Sequence, residues 1–138
     1  VVREYAPDGK IVWEAKTPAE PKDSWPFTAI RVPNGNTLIT CTHGSHVIEV
    51  DAKGKIVWQL TNQDLSGAPL KDPCGAQRLP NGNTIVCTYG NHAPGIKLIE
   101  VTPAKKVVWS YSNEKKVSIH TVQILDTNGK PLAGPAMK

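Results

Sequence analysis

Two sequence motifs repeat along the chain, and these repeats constrain the fold more than any other feature. The longer motif occurs three times without gaps, at residues 2–15, 47–60 and 98–111, and each copy has a tryptophan after two branched apolar residues. These tryptophans are Trp13, Trp58 and Trp109, separated by 45 and 51 residues. The shorter motif, Pro-Asn-Gly-Asn-Thr, occurs twice and contains Gly35 and Gly82. A period of this length indicates a repeated structural unit.

Each unit has the pattern of four short antiparallel strands. Asn-Gly between branched apolar residues is the strongest short signal for a β-hairpin, because that turn requires a positive φ. Alternation along residues 46–51 places Val47 and Glu49 on one face of a strand and Ile48 and Val50 on the other. Four-stranded units repeated every 40–50 or so residues are typical of β-propeller blades. The sequence therefore predicts an all-β fold, a β-propeller of four-stranded antiparallel blades.

The chain of 138 residues has room for about three such blades, half of a six- or seven-bladed ring. Within this partial propeller (1–138) we expect a hairpin from one blade (2–15), two full blades (28–60 and 75–111) and the first strand or strands of a further blade (119–138). Three blades cannot close a ring and would leave unpaired strand edges. We expect the missing blades of a longer protein to complete it. The other route is a second copy of this chain, whose residues 2–15 would pair with strands from 119–138.

The repeated tryptophans and turn glycines have a structural interpretation. A large ring repeated once per blade would pack between neighbouring sheets and bury about 150–250 Å². A platform for stacking sugars is the alternative. The fixed position of each ring within its motif favours packing.

Residues 51–58 and 79–86 resemble the repeats of bacterial PQQ-like (quinoprotein-type) β-propeller proteins, and also those of the related arylsulfotransferase-like propellers. Residues 119–129 are similar to the last inner strand of such proteins. The resemblance implies the C-terminal half of such a propeller and a periplasmic or extracellular location, with the cytoplasm not excluded. Because the matching residues are those that pack blades together, no cofactor is predicted. PQQ enters only as a property of the family.

Composition and motifs argue against several classes of function. The formal net charge is +4, but the basic residues are scattered and do not form the stripe with stacking aromatics that binds nucleic acids. No run approaches the ~20 apolar residues of a membrane-spanning helix. Three cysteines without metal-ligand spacing favour neither a disulfide framework nor a metal site. Motifs of nucleophilic hydrolases and of phosphate-binding loops are absent, and no catalytic residue is predicted.

The candidate binding face follows from the strand order of a blade. Connections between blades lie on the same face of the disc as the turns between second and third strands. Here these connections (16–27, 61–75 and 112–119) are long and differ from one another. Binding usually resides on such loops. The candidate ligand-binding residues are the four histidines and Trp25 on this face, with two arginines that precede the Asn-Gly turns: His43, His46, His92, His120, Trp25, Arg31 and Arg78.

Several candidates have structural alternatives. The two arginines either bind an anion in the channel or form salt bridges between blades, and we favour salt bridges. The repeated spacings Cys41–His46 and Cys87–His92 suit metal ligation, but a buried cysteine with a loop histidine is the favoured interpretation. Counting from the turns predicts that these two thiols face opposite ways. It also opposes Cys87 to Ala76, so a disulfide there would need a change of register.

Two classes of function remain open. We expect a non-catalytic binding or scaffold propeller that recognises a small molecule, a glycan or a protein through its loop face. The alternative is a fragment of a quinoprotein- or arylsulfotransferase-like enzyme, whose remaining catalytic residues lie outside this chain. Arylsulfotransferase-like propellers use histidines on the channel face, and His120 would start a strand that lines the channel. At the matching places in the other two blades this chain has Phe27-Thr28-Ala29 and Cys74-Gly75-Ala76 instead of histidine.

Overall fold

The computed structural model describes residues 1–20, 24–127 and 129–132. The described residues form twelve β-strands and one short 3-10 helix, and none of them lies in an α-helix. The strands are β1 (Val2–Tyr5), β2 (Ile11–Ala15), β3 (Trp25–Arg31), β4 (Thr37–Thr42), β5 (His46–Val50), β6 (Ile56–Thr61), β7 (Pro73–Arg78), β8 (Thr84–Thr88), β9 (Gly95–Val101), β10 (Val107–Asn113), β11 (Asp126–Thr127) and β12 (Lys130–Pro131). The 3-10 helix spans Asn62–Asp64.

The strands form four antiparallel sheets. Two have four strands in sequence order, sheet 1 (β3–β6) and sheet 2 (β7–β10). Two have two strands, the N-terminal hairpin (β1–β2) and the C-terminal hairpin (β11–β12). The predicted all-β class is confirmed. In the part of the chain that the structure describes, no helix has the length and apolar character needed to cross a membrane.

The first turn of each four-stranded sheet forms at the predicted Asn-Gly dipeptide. Gly35 and Gly82 have φ values of +87° and +86°, a conformation that glycine adopts without steric cost. The backbone N–H of Asn36 donates to the side chain of Asn34 at 3.0 Å, and Asn83 makes the equivalent bond at 2.9 Å. These local bonds fix the register of β3 with β4 and of β7 with β8.

Sheet 1 lies between two apolar clusters, and the alternation of β5 separates them. Val47 packs in the cluster between sheets 1 and 2, whereas Ile48 and Val50 pack in the cluster against the N-terminal hairpin. The predicted alternation of β5 is therefore confirmed. The buried residues between sheets 1 and 2 include Leu38, Val47, Leu60, Val86, Ile99 and Val101.

The repeated tryptophans differ in burial. Trp13 and Trp58 are partly buried and pack against the two apolar clusters. Trp58 also donates its indole N–H to the carbonyl oxygen of Pro103, in the turn between β9 and β10, at 2.9 Å. Trp109, on the outer face of sheet 2, is 45% exposed. Two of the three rings thus pack between neighbouring sheets.

The pairing of β7 with β8 differs from the expected register and contains a bulge. Ala76 pairs with Val86, and the register shifts between Pro73 and Ala76. The expected pairing of Cys87 with Ala76 is therefore wrong by one residue, because the turn between β7 and β8 places Arg78 opposite Thr84. Two residues, 74 and 75, lie opposite Cys87 instead.

The segment 119–125 passes beside this bulge and forms no strand, although a strand was expected over 120–125. Gly75 donates its N–H to the carbonyl oxygen of His120 at 2.7 Å. The Gln77 side chain accepts from the N–H of Ile124 at 2.7 Å. Because these bonds go to the bulge and to a side chain, the segment does not pair with a neighbouring strand. Regular pairing begins only at β11.

Some expected regions extend beyond the described residues. Residue 128 and residues 133–138 of the final expected strands lie outside them, as do residues 21–23 of the 16–27 connection. The sheet strands begin earlier than expected, at Trp25 in sheet 1 and at Pro73 in sheet 2.

Candidate functional site

Three aromatic rings from different parts of the fold meet at one end of the strands. The ring of His120 lies 4.1 Å from Tyr89 and 5.9 Å from Phe27, measured between centroids. Tyr89 also contacts His92 edge to face at 5.1 Å. Phe27 belongs to β3, Tyr89 follows β8, and His120 lies in the segment beside the bulge. We refer to these four residues, together with Trp25 and His43, as the aromatic–histidine face.

The exposure of β3 explains why rings from this strand reach the face. Trp25, Phe27 and Ala29 are exposed, whereas the residues between them are half-buried. Trp25 is 58% exposed and Phe27 is 51% exposed. Neighbouring large rings left open to solvent form the kind of apolar patch that marks a binding surface.

Trp25 and His43 form the other part of the face. Their rings meet edge to face with centroids 5.0 Å apart. His43 has a φ of +57°, and the carboxylate of Asp72 accepts its backbone N–H at 3.0 Å. The same carboxylate oxygen lies 3.8 Å from Nδ1 of the His43 ring. Asp72 therefore holds His43 in a conformation that non-glycine residues adopt only with support from their surroundings.

His92 is fixed by a hydrogen bond rather than by packing alone. Its Nδ1 lies 2.6 Å from the hydroxyl oxygen of Ser118. Which atom donates depends on the imidazole tautomer. Ser118 belongs to the connection that follows sheet 2, so this bond links the connection to the turn between β8 and β9.

The remaining candidate histidine, His46, does not join these ring contacts. It is the first residue of β5, is half-buried and pairs across the sheet with Cys41 and Thr61. Its Nδ1 is buried without a hydrogen-bond partner among the described residues.

The two candidate arginines lie at the opposite end of the strands, between sheets. Arg31 forms an ion pair with Glu4 of the N-terminal hairpin. Arg78 forms one with Glu49 of sheet 1 at 2.5 Å. Burial works to raise the pKa of Glu49, but hydrogen bonds from its asparagine neighbours and the charge of Arg78 outweigh it and hold that pKa below its usual range. The guanidinium groups thus join neighbouring sheets and lie away from the aromatic–histidine face.

The three cysteines are free and buried. Burial raises the pKa of Cys41 to about 11 and that of Cys87 to about 12, and it also raises the pKa of Cys74. Neutral, inaccessible thiols are poor nucleophiles and poor metal ligands. Among the described residues, no group of three or more His, Cys, Asp or Glu side chains is placed to hold a metal ion.

The side chains of the three cysteines also point in different directions. Cys41 packs in the cluster against the N-terminal hairpin, and Cys74 contacts the hydroxyl of Thr42 in sheet 1. Cys87 alternates with Val86, which faces sheet 1, so its side chain points away from sheet 1. The prediction that Cys41 and Cys87 face opposite ways within their repeats agrees with this arrangement.

The protein is similar in structure to a protein of unknown function from Bacteroides caccae, with a TM-score of 0.71 and 24% sequence identity. The match covers 86% of this chain and 44% of that chain, so this chain spans less than half of its neighbour's length. At this level of identity the likeness shows the fold alone. No protein-family model and no curated protein matches the sequence.

PQQ, which only the sequence resemblance suggests, does not fit the aromatic–histidine face. It carries three carboxylates, which arginines suit best as partners. Both candidate arginines are engaged with glutamates at the other end of the strands. The charged side chain that the face presents beside His43 is the carboxylate of Asp72.

Sequence reasoning missed four residues of this region: Phe27, Asp72, Tyr89 and Ser118. The repeat carried a signal for Tyr89, because Cys41-Thr-His43 aligns with Cys87-Thr-Tyr89. Nothing local to the sequence signalled Ser118, whose contact with His92 joins residues 26 positions apart.

Proposed function

We propose that this chain forms an arc of a β-propeller whose open ends are covered in the functional protein. Two four-stranded meanders pack face to face and are joined by the Arg78–Glu49 ion pair, and the equivalent Arg31–Glu4 pair joins the first meander to the N-terminal hairpin. A two-stranded sheet precedes the two meanders in the chain and another follows them. An incomplete sheet at each end favours completion by further strands. The shorter length relative to the structural neighbour agrees with a missing remainder.

Light scattering on the purified chain, beside its intact mass, tests this arc. Completion by a second copy gives a native mass near twice 14.9 kDa. If other blades complete the arc, the isolated chain either associates or shows fast amide hydrogen exchange in its two end hairpins. A monomer of 14.9 kDa with both end hairpins fully protected would contradict the proposal.

The function that the geometry supports best is binding of a ligand at the aromatic–histidine face, without chemistry on the ligand. The main support is that Phe27, Tyr89 and His120 come together from three separate segments. The centroid of the His120 ring lies 4.1 Å from that of Tyr89 and 5.9 Å from that of Phe27. Aromatic faces with polar edges suit a ligand that has a flat apolar face and hydroxyl or amide groups at its rim. A sugar ring has both properties, so a glycan is the class of ligand that we favour.

A glycan array probed with the labelled protein tests this function. We expect a selective subset of glycans to bind, and Phe27→Ala and His120→Ala to weaken binding at least about tenfold each, as loss of a central aromatic contact does. Tyr111→Ala is the matched control, because Tyr111 is a 39% exposed ring on β10, outside the face. Binding lost equally in the control, or no glycan bound by the folded protein, would count against glycan recognition here.

The alternative, a fragment of a propeller enzyme, has one observation in its favour. Ser118 and His92 form a hydroxyl–imidazole contact of 2.6 Å, as a nucleophile and its base do. Of the described residues, none places a carboxylate on the other side of the His92 ring, where such a pair usually has one. A Ser118-dependent label from a fluorophosphonate probe, lost in Ser118→Ala, would favour the enzyme over the binding module.

The periplasmic or extracellular location that the resemblance implies stays a prediction.

A further inference from the structure

The contact between neighbouring sheets follows one pattern at both places where it is complete. A glutamate on one strand of a hairpin lies directly opposite a tryptophan on the next strand, as Glu4 does opposite Trp13 and Glu49 opposite Trp58. The neighbouring sheet then supplies an arginine that pairs with the glutamate and covers the indole. The guanidinium carbon of Arg31 lies 4.9 Å from the ring centroid of Trp13. The Arg78 carbon lies 5.4 Å from the centroid of Trp58.

The same pair recurs on the outer face of sheet 2. Glu100 lies directly opposite Trp109. The amide of Asn83 donates to one carboxylate oxygen of Glu100 at 2.6 Å, just as Asn36 donates to Glu49 at 2.6 Å. The glutamate and the tryptophan of the pattern are therefore both present, and an asparagine amide bonds to the glutamate as in sheet 1.

The arginine is missing from this third position. Arg31 and Arg78 each precede the turn glycine of their sheet by four residues. Four residues before Gly129 the chain has Leu125, whose side chain is 64% exposed and carries no charge. No described residue donates to the second carboxylate oxygen of Glu100.

A pocket occupies the place that the guanidinium fills elsewhere. It has a volume of about 360 Å³. The carboxylates of Glu100 and Asp126, the indole of Trp109, one amide, one hydroxyl and three apolar side chains line it. Both charged residues of this lining are acidic, which favours a cation.

We infer that this pocket is a binding site for an alkyl guanidinium cation, with Glu100 as its ion-pair partner and Trp109 as the aromatic surface beneath it. A guanidinium fits better than an ammonium because its planar fork pairs with a carboxylate and stacks on a ring at the same time. The two complete copies of the pattern in this chain hold that group and no other. The inference does not depend on ligand binding at the aromatic–histidine face, which lies at the other end of the strands.

An NMR titration with L-arginine methyl ester tests the site. The indole N–H signal of Trp109, assigned from its loss in Trp109→Phe, shifts saturably, with a dissociation constant in the millimolar range typical of one small contact. Citrulline methyl ester, which keeps the α-amino group but has a neutral ureido group in place of the guanidinium, produces no shift. Lysine methyl ester binds several-fold more weakly. Glu100→Gln lowers the affinity for the arginine ester at least about tenfold, and Glu114→Gln, at an exposed carboxylate elsewhere, leaves it unchanged.

Two results would overturn the inference. One is a Trp109 signal that does not move, in a protein whose other signals match the folded state. The other is an equal response to the arginine, lysine and citrulline esters. Light scattering during the same titration identifies the source of the natural guanidinium. A native mass that falls as the ester binds shows an arginine from a second copy in the pocket, and an unchanged mass shows that no second copy supplies it.

Discussion

The two arginines between sheets make the same contacts at different depths, which allows a matched test of burial. The side chains of Arg78 and Glu49 are 15% and 8% exposed, whereas those of Arg31 and Glu4 are 43% and 53% exposed. Removing one partner of a buried pair costs about 3–5 kcal/mol, because it leaves a charge without compensation. Two asparagine amides still bond to Glu49, so we expect Arg78→Met to cost about 3 kcal/mol. An exposed pair contributes about 0–1 kcal/mol, which is the expected cost of Arg31→Met.

Urea denaturation followed by far-UV circular dichroism measures the difference. With an m-value of about 2 kcal/mol/M, a difference of about 2 kcal/mol between the variants separates their midpoints by about 1 M. The double variant Arg78→Met/Glu49→Leu should regain much of the loss, because neither charge remains. Equal midpoints for Arg31→Met and Arg78→Met would refute the role given to burial. A double variant whose cost equals the sum of its single variants would refute the coupling of Arg78 to Glu49.

Three further predictions follow from individual residues. The three buried thiols should not react with Ellman's reagent at pH 8 in the native protein and should all react in urea, and a thiol titrating natively would contradict their burial. Because their pKa values are raised in the folded state, stability should also decline as pH rises above the ordinary thiol value of about 8.5. Glu49 and Asp64, the latter mainly through its bond from Lys105, have lowered pKa values. Stability should therefore hold above about pH 4 and fall below it, and the urea midpoint of Glu49→Gln should vary less over that range than that of the parent. Gly75→Ala should cost about 1–3 kcal/mol, because its Cβ would lie 2.7 Å from the Cα of Thr121. An unchanged midpoint would show that segment 119–125 does not rest on the bulge.

The strands of this fold were predictable because their signals are local. Alternation assigned Val47 and Ile48 to opposite faces. The Asn-Gly dipeptides located the first turn of each sheet, but the pairing of β7 with β8 counted from that turn was wrong by one residue. The bulge at residues 74 and 75 was not predictable, because it depends on a segment more than 40 residues later. A local residue pattern does not show where a distant segment of the chain will pass.

The candidate site was predictable only in part. Loop placement brought Trp25 and His43 to one face, and the structure brings their rings into contact. The meeting of Tyr89 with His120 depends on how sheet 2 packs beside the segment 119–125, which no local signal specifies. His46, the first residue of the strand predicted over 46–51, pairs in β5 as expected, but its separation from the other histidine rings had no local signal either.

The hydrogen bond from Asn36 to Glu49 has a consequence for how such a unit is inherited. The turn residue that closes one hairpin also orients the carboxylate that receives an arginine from the adjoining sheet. A duplicated gene segment of this length therefore copies both its fold and the chemistry that attaches it to the next copy. Arrays of such units can grow by duplication without first evolving a new interface.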